Sequence, residues 1–358
     1  MSTPQPRVMS LDVLRAAACL LVIASHSHFP DRFPVLQTLG KGGWAGVDLF
    51  FVLSGFLVSG ILFHEFKTTH SLNIGRFLLR RGLKIYPPFY FFILTTATYL
   101  TLLGNDASFA SKERLLTELL FVQNFWPGFW GYTWSLAVEE HFYITVAILV
   151  WMVFAFGKRL DGIAIPVIMI AIAIIALLLR WRLAQIPFHL KTHWFPTQLR
   201  MDALAFGVLL AHAWNFRQDW IQRWLFPWRW QLLVAGVGGC MPPFQFEKSQ
   251  LSVLGLTALY LSCGSLLLGL RMVGVPNVPL TRMIAAMGAQ SYSIYLWHGP
   301  IVWNLVPKMA ARFHVEHSLL PAVAGLSLSI VFGILMAHLV ESPILELRDR
   351  WTSNDAQA

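Results

Sequence analysis

The sequence has few charged residues and very few cysteines. Of its 358 residues only 13% are charged, whereas 56% are hydrophobic. A soluble domain needs a larger charged fraction to cover its surface, so this composition excludes an ordinary soluble protein and indicates a membrane protein. Three cysteines, Cys19, Cys240 and Cys263, stand in apolar runs without CxxC spacing. That pattern predicts packing residues and neither a disulfide framework nor a metal site.

Acidic residues are outnumbered by basic ones, which gives a net charge of +9. In a membrane protein, Lys and Arg concentrated in cytoplasmic loops explain such a charge, so no nucleic-acid partner is expected. His189 and His193 are four residues apart, but no third ligand accompanies them, so no bound metal is expected. The opening MSTPQPR has no cleavage site after it, which predicts that the first helix is retained.

Ten apolar segments are long enough for transmembrane helices. They are residues 10–29, 44–64, 84–103, 131–155, 162–181, 197–214, 230–246, 251–271, 286–306 and 319–340. With ten spans both termini lie on one side, whose loops hold 15 Lys and Arg against 10 on the other side, so the termini are predicted to be cytoplasmic. The sequence therefore predicts an all-α polytopic protein, with a membrane domain over residues 1–345 and a short cytoplasmic tail over residues 346–358.

The first predicted helix, within LDVLRAAACLLVIASHSHF, carries two ionisable residues. Eleven residues separate Arg15 from His26, so on an α-helix they share one face and lie about 16.5 Å apart along the axis. His28 points away from that face. An arginine reaching the headgroups and a histidine at the outer helix end would give the same pattern. However, ionisable residues inside a membrane are candidates for function, and a neutral imidazole accepts a proton.

Residues 76–90, RFLLRRGLKIYPPFY, place a basic cluster just before a predicted span on the cytoplasmic side. Arg80 and Lys84 are helical neighbours, and Arg81 lies beside them. Such a cluster suits an anionic, phosphorylated cosubstrate that arrives from the cytosol, and anchoring to anionic lipid is the alternative. No P-loop or GxGxxG accompanies it, so ATP or NAD is not expected.

Other predicted spans also contain polar side chains. Asp48 lies near the start of GWAGVDLFFVLSGF and, because a buried carboxylate is costly alone, either faces a polar cavity or caps its helix. In LRMDALAFG, Arg200 and Asp202 lie about 200° apart on a helix, so each needs a partner elsewhere or water. In TWSLAVEEHFYI, Glu139 shares a helix face with Tyr143.

The segment SYSIYLWHGPIV, residues 291–302, brings Tyr292 and other aromatic residues close to His298. Polar and aromatic rings of this kind suit contact with a sugar, although an aromatic belt at the membrane interface has a similar composition. Gly299-Pro300 is predicted to break helical pairing directly after the histidine.

Taken in order, these segments together with VESPI resemble the acyltransferase-3 family of integral-membrane bacterial O-acyltransferases. The family's Arg/Lys-x10-His pair falls on Arg15 and His26. Its basic motif and its WSxxxE segment fall on Arg80, Arg81, Lys84, Trp134, Ser135 and Glu139. The third basic position is more often Arg in the family, so Lys84 would keep the charge and lose a bidentate phosphate contact.

The resemblance implies a multi-pass enzyme of the bacterial inner membrane that transfers an acyl group, most often acetyl, from cytosolic acyl-CoA to a carbohydrate hydroxyl. O-antigen, lipopolysaccharide, exopolysaccharide or another glycoconjugate is the expected acceptor. Some members append an extracytoplasmic SGNH hydrolase-like domain, which is not expected here because the sequence stops soon after VESPI. A separate extracytoplasmic protein that receives the acyl group is an alternative to direct transfer.

These implications predict roles for individual residues. The phosphates of acyl-CoA are expected near Arg15 and the basic cluster, with His26 as general base or as an acyl relay. Glu139 is expected to orient His26 or take its proton. The acceptor site is expected to include Asp48, Ser135, Arg200, Tyr292 and His298. The competing function is a transporter or flippase of a glycan intermediate, in which His26 and Glu139 form a proton relay.

Overall fold

The computed structural model describes residues 8–102, 111–157 and 159–354. All regular secondary structure within these ranges is helical, which agrees with the all-α prediction. Arg7 and Lys158, which were counted in the predicted cytoplasmic loops, lie outside the described residues. The same holds for residue 103 of the third predicted span and for residues 355–358 of the predicted tail.

The α-helices are numbered in chain order through the described ranges. They are α1 (Met9–His26), α2 (Pro34–Gly42), α3 (Ala45–Thr69), α4 (Ile74–Leu102), α5 (Lys112–Leu119), α6 (Trp134–Ala155), α7 (Ala164–Leu183), α8 (Leu190–His193), α9 (Met201–Phe216), α10 (Gln218–Trp220), α11 (Arg229–Gly239), α12 (Lys248–Leu251), α13 (Leu254–Val273), α14 (Pro279–Ala289), α15 (Ser291–Pro300), α16 (Val306–Phe313), α17 (Leu320–Met336) and α18 (Ser342–Asn354).

Each of the ten predicted spans contains at least part of a helix, but fewer helices have the dimensions of a membrane span. Among the described residues, six helical segments are long and apolar enough to cross a membrane, namely Met9–His26, Ala45–Thr69, Trp134–Ala155, Ala164–Leu183, Leu254–Val273 and Leu320–Trp351. Helices α9, α11, α14 and α15 each have fewer than eighteen residues. The count of ten spans, the cytoplasmic termini and the domain boundary at residue 345 therefore stay predictions.

Within the described residues the chain forms two compact units. The first comprises the chain up to Gly46, Gly75–Thr133, and the chain from Asn277 onward. Inside it, α1 packs against α14 and α15, and α15 packs against α17. The contact between α14 and α1 depends on Gly288, because a Cβ at this position would lie 1.8 Å from the carbonyl oxygen of Asp12.

The second unit comprises Val47–Ile74 and Trp134–Pro276. In this unit α9 packs against α7 and α13, and α11 packs against α13. Helices α3 and α9 approach closely where Gly55 faces the backbone of Leu204 and Gly207 faces that of Val52. Small residues at such contacts allow helix backbones to pack tightly, as is common in membrane proteins.

Two proline-containing helices differ in how they continue. Helix α4 runs through Pro87 and Pro88, so the basic cluster lies in its first turns. Arg80 and Lys84 are therefore neighbours on one helix, as predicted, whereas the start of the membrane span just after the cluster stays a prediction. Helix α15 ends at Pro300, as predicted from Gly299-Pro300, and the chain continues as a π-helix over Ile301–Leu305. Because proline lacks an N–H, the α-helical hydrogen-bond pattern changes at this point.

Candidate functional site

A pair of imidazoles lies at the end of α1. The Nδ1 atom of His26, the last residue of that helix, is 2.8 Å from Nε2 of His298 on α15. The two ring planes differ by 13° and their centroids are 5.0 Å apart. On its other side, His298 places Nδ1 2.5 Å from the carbonyl oxygen of Tyr295. His298 is fully buried, whereas His26 is half-buried.

Tyr132 holds the pair from one side. Its ring centroid lies 4.5 Å from that of His298 and 6.0 Å from that of His26. The Tyr132 hydroxyl donates to the carbonyl oxygen of Leu296 at 2.5 Å. In an α-helix the N–H of residue 300 would bond that carbonyl, but Pro300 has none, so the tyrosine supplies the missing donor.

Trp303 covers His26 from another side. Its ring lies edge-on to the imidazole with centroids 4.9 Å apart, and its Nε1–H donates to the carbonyl oxygen of His26 at 3.2 Å. That carbonyl belongs to the last turn of α1, where no intrahelical donor is available. Trp303 remains 39% exposed. The π-helix that follows Pro300 places this residue beside His26.

His28 differs from His26 in its surroundings. Helix α1 ends at His26, so His28 lies beyond the helix and is exposed. The predicted relation between Arg15 and His26 does hold along α1, which contains both residues, and Cys19 on their shared face is buried. A continuous helix of eleven residues separates the two by about 16.5 Å along its axis.

A buried acid stabilises the segment that leads to Tyr132. Glu118, on α5, accepts hydrogen bonds from the backbone N–H of Trp130 at 2.9 Å and from the Thr133 hydroxyl at 2.9 Å. Burial raises the pKa of Glu118 to about 7, although these hydrogen bonds oppose the shift. Trp130 and Thr133 lie on either side of Tyr132, so this carboxyl group binds the chain both before and after the tyrosine.

The predicted basic residues lie together in the first unit. Lys84 interacts electrostatically with three cations, Arg15, Arg81 and Arg348, and with one acid, Glu341. The structure therefore brings Arg15 of α1 to the basic cluster on α4. It also adds Arg348 of α18, which the sequence interpretation counted only as a loop charge. Because the cations outnumber the acids, this region favours an anion.

Arg15, Arg80 and Arg348 each lie close to an acidic side chain. Arg15 lies 2.6 Å from Asp12, and Arg80 lies 2.9 Å from Asp349. Arg348 lies 2.8 Å from the same Asp349 oxygen. Two arginines thus share one carboxylate, which leaves net positive charge at this end of α4. Guanidinium groups arranged in this way suit bidentate recognition of phosphate.

In the second unit, four buried charged side chains form two ion pairs. Arg200 donates to Asp48 at 2.8 Å, and Arg180 lies 2.6 Å from Asp202. All four side chains are almost completely buried. The prediction that Arg200 and Asp202 each need a partner elsewhere is confirmed. The guanidinium of Arg200 also lies 4.8 Å from the ring centroid of Trp194. This is a cation–π contact.

Glu139 lies within the second unit on α6. Its carboxylate accepts hydrogen bonds from the Tyr143 hydroxyl at 2.6 Å and from the Ser54 hydroxyl at 3.1 Å. The shared face of Glu139 and Tyr143 is therefore confirmed. Ser135, one turn earlier on α6, is buried. The predicted action of Glu139 on His26, and the acceptor roles of Ser135, Asp48 and Arg200, stay predictions.

Tyr292 is placed close to the basic cluster. Its hydroxyl donates to the carbonyl oxygen of Ile85, one residue after Lys84, at 2.8 Å. Its predicted contact with the acceptor stays a prediction. Sequence reasoning also did not assign roles to Tyr132, Trp303 or Arg348. The aromatic composition around residues 125–134 and 297–303 was the available signal, but it also fits an interfacial belt.

The fold and this site define a helical protein with helices of membrane-spanning length, an imidazole pair suited to proton transfer, and a cationic region suited to phosphate. The model of the acyltransferase domain family matches residues 8–338. The chain therefore belongs to this acyltransferase-3 family, as its motifs suggested.

Several curated proteins are similar to the chain over almost its full length. Peptidoglycan O-acetyltransferase OatA of Listeria monocytogenes is 27% identical over 94% of this chain and 56% of its own. The putative peptidoglycan O-acetyltransferase YrhL of Bacillus subtilis is 24% identical over 94% of this chain and 55% of its own. A putative O-acetyltransferase of Staphylococcus aureus strain COL is 26% identical over 94% of this chain and 57% of its own. The chain thus spans little more than half the length of these relatives. No solved structure matches the chain significantly.

Proposed function

We propose that this protein is a membrane O-acetyltransferase that transfers an acetyl group from cytosolic acetyl-CoA to a hydroxyl group of an envelope glycan. Membership of the acyltransferase-3 family and relatives named as O-acetyltransferases support the reaction type. The observation that carries the proposal is the composition of α1. This helix has Arg15 beside the basic cluster and ends at His26, which is hydrogen-bonded to His298.

The donor binds at the cationic end of α1. Its phosphates lie against Arg81, Lys84 and Arg348, where positive charge exceeds negative charge. The flexible pantetheine arm then extends along α1 toward His26, about 16.5 Å away from Arg15. An arrangement of this kind places the thioester at the imidazole while the nucleotide stays at the cytoplasmic side.

His26 acts on the acceptor. Its imidazole takes the proton of the acceptor hydroxyl while the hydroxyl oxygen bonds to the thioester carbonyl carbon. The carbon–sulfur bond then breaks, and the CoA sulfur leaves with the proton that His26 held. In the alternative, an imidazole nitrogen attacks the thioester carbonyl carbon, the carbon–sulfur bond breaks and CoA leaves as a thiolate. The acceptor oxygen then takes the acetyl group from the imidazole, and the hydroxyl proton passes to the thiolate. Both routes use the same atom of His26.

The acceptor is a sugar of the bacterial cell envelope. The relatives whose names include peptidoglycan favour an N-acetylhexosamine hydroxyl on the outer side of the cytoplasmic membrane. Trp303, which is partly exposed beside His26, offers an aromatic face for such a ring. O-antigen and exopolysaccharide are alternative acceptors with the same chemistry.

The test is acetyl transfer by the purified full-length protein in lipid nanodiscs. Radiolabelled acetyl-CoA and peptidoglycan glycan fragments are supplied, and free CoA and labelled glycan are measured. We expect His26→Gln to lower the rate by about 10²- to 10⁴-fold, because a general base contributes that much. His28→Gln, which alters an exposed histidine outside the helix, should keep the wild-type rate.

The same assay separates the enzyme from a transporter. A flippase that uses His26 and Glu139 as a proton relay should neither bind acetyl-CoA nor release CoA from it. A wild-type protein that leaves acetyl-CoA intact in the presence of acceptor, or a fully active His26→Gln variant, would contradict the proposed function.

A further inference from the structure

We propose that His298 is a positioning residue that fixes the tautomer of His26 and thereby makes Nε2 of His26 the atom that takes the acceptor proton. The proposal rests on the proposed function, because it assumes that His26 is the reacting imidazole. It concerns a different property, namely which of the two ring nitrogens carries the hydrogen before the reaction begins.

The first step concerns His298 and the backbone. Nδ1 of His298 lies 2.5 Å from the carbonyl oxygen of Tyr295, three residues earlier on α15. A carbonyl oxygen only accepts hydrogen bonds, so the hydrogen must be on Nδ1 of His298. The local helix geometry places these two atoms together, and both residues are buried.

The second step concerns the charge of His298. Its ring is fully buried, and its polar contacts are the carbonyl group of Tyr295 and the imidazole of His26. The aromatic rings of Tyr132 and Tyr295 surround the remainder. A cation at this position would have no acidic partner among these contacts, and burial of such a charge is costly. His298 is therefore neutral, and its Nε2 carries a lone pair.

The third step transfers this constraint to His26. The lone pair of His298 faces Nδ1 of His26 at 2.8 Å, so Nδ1 of His26 must donate. The centroid separation of 5.0 Å and the angle of 13° show that the rings lie edge to edge, nearly in one plane. This is the geometry of a hydrogen bond in the plane of both rings. A neutral His26 therefore carries its hydrogen on Nδ1 and a lone pair on Nε2.

The consequence is an imidazole prepared for catalysis. Nε2 of His26 is ready to accept a proton, and His298 continues to accept from Nδ1 while the imidazolium exists. In hydrolases with a catalytic triad, a carboxylate accepts from Nδ1–H of the catalytic histidine and fixes its tautomer in the same way. A neutral imidazole stabilises the imidazolium less than a carboxylate does, but it adds no negative charge beside the thioester.

The test compares two replacements of His298 in the purified full-length protein. His298→Phe keeps an aromatic ring against Tyr132 and removes both nitrogens, whereas His298→Gln keeps a side-chain oxygen that accepts from His26. We expect His298→Phe to lower kcat by about 10- to 100-fold, as loss of an orienting partner does, with KM for acetyl-CoA unchanged. His298→Gln should recover most of that loss. Equal losses in both variants would overturn the proposal.

The tautomer itself is measured by nuclear magnetic resonance on protein with ¹⁵N-labelled histidine rings. The His26 signals are assigned by their absence in His26→Gln. We expect a protonated Nδ1 and an unprotonated Nε2 in the wild type, and loss of this bias in His298→Phe. As a matched control, His212→Phe removes another buried histidine, in the second unit, and should leave the His26 signals unchanged.

The two measurements keep the two hypotheses apart. A wild-type His26 that is protonated on Nε2 overturns the positioning role of His298, whatever the activity of the protein. A fully active His26→Gln variant overturns the proposed function instead. In that case His26 is not the base, even if its measured tautomer is the expected one.

Discussion

The second unit buries two arginines and two aspartates, and each arginine lies against an aspartate at 2.8 Å or less. The first unit, in contrast, gathers Arg15, Arg81 and Arg348 around Lys84, and these cations outnumber the nearby acids Glu341, Asp12 and Asp349. It also buries His298 beside His26, and within the described part of the chain the polar contacts of His298 include no acid. Both units contain ionisable residues in helices of a membrane protein, but their electrostatic arrangements differ.

The paired charges of the second unit are of the kind that maintain a fold, whereas the clustered cations of the first unit are of the kind that bind a ligand. The two partners of a buried ion pair neutralise each other's charge, and removal of one partner leaves an expensive unpaired charge. A group of like charges destabilises its own neighbourhood and becomes favourable when an anion binds. An ionisable residue inside a membrane protein is therefore a weak indicator of function until its partners are known.

The largest expected effect tests the paired charges of the second unit. Arg200→Met should lower the free energy of unfolding by about 3–5 kcal/mol, because Asp48 would remain buried without its partner. The double replacement Asp48→Leu with Arg200→Met should recover much of that loss. Unfolding of both single variants and of the double variant in mixed micelles, followed by tryptophan fluorescence, gives the coupling energy of the pair.

Activity measurements complete this test. If the ion pair only maintains the fold, the folded double variant transfers acetyl at the wild-type rate per molecule. A stable double variant with no activity would instead support the acceptor-binding role predicted for Asp48 and Arg200. As a matched control, Arg159→Gln breaks an exposed pair with Asp161 in the same unit and should not measurably change stability.

A second test uses a buried acid of the first unit that has no arginine partner among its hydrogen bonds. Burial raises the pKa of Glu118 from 4.5 to about 7, so between these values the folded protein binds a proton that the unfolded chain has lost. Stability is therefore highest below pH 4.5 with respect to this group and falls as the pH rises through about 7. The shift corresponds to a loss on the order of 3 kcal/mol.

Glu118→Gln should remove this contribution. The amide oxygen still accepts from Trp130 and Thr133, but the group no longer titrates. We expect the thermal midpoint of the wild type to fall between pH 5 and pH 8, and that of the variant to fall less. Identical slopes for the two proteins would show that Glu118 does not carry the pH dependence.

The sequence was informative where function depends on residues close together in the chain. The spacing of Arg15 and His26 predicted one helix with both residues on it, because helical periodicity is local. The full extent of α4 was not predicted. The apolar pattern defined only a span over residues 84–103, whereas the helix begins at Ile74 and continues through Pro87 and Pro88.

Long-range partners could not be predicted from one sequence. Residues 26 and 298 are 272 positions apart, and Asp48 is 152 positions from Arg200. Side-chain chemistry showed that Arg200 needed a partner, but several acids were available. Arg348 was counted as one of many loop charges, since its position near Lys84 depends on the packing of α18. The composition of the site was thus partly predictable, whereas its pairing was not.

The smallest of these expected effects concerns the charges of the first unit. Arg81→Gln and Lys84→Gln should each raise KM for acetyl-CoA by about tenfold, which corresponds to about 1.4 kcal/mol, with kcat nearly unchanged. Arg80→Gln should have a weaker effect than Lys84→Gln, because Arg80 lies 2.9 Å from Asp349 and is already partly neutralised. The affinity of the wild type should also fall as salt is added.

The comparison between Arg80 and its neighbours decides what the cluster does. If its cations only anchor the helix to anionic lipid, all three variants should lower membrane insertion and leave KM for acetyl-CoA unchanged. If they bind the phosphates of the donor, the loss of affinity in the variants should depend on which CoA analogue is bound. The two analogues to compare are desulfo-CoA and dephospho-CoA. Dephospho-CoA, which lacks one phosphate group, should bind the wild type more weakly than CoA does. If Lys84 contacts that phosphate, Lys84→Gln should lower the affinity for dephospho-CoA less than it lowers the affinity for CoA. Removal of the sulfur atom should weaken all the proteins equally, since the cluster lies at the opposite end of α1 from His26.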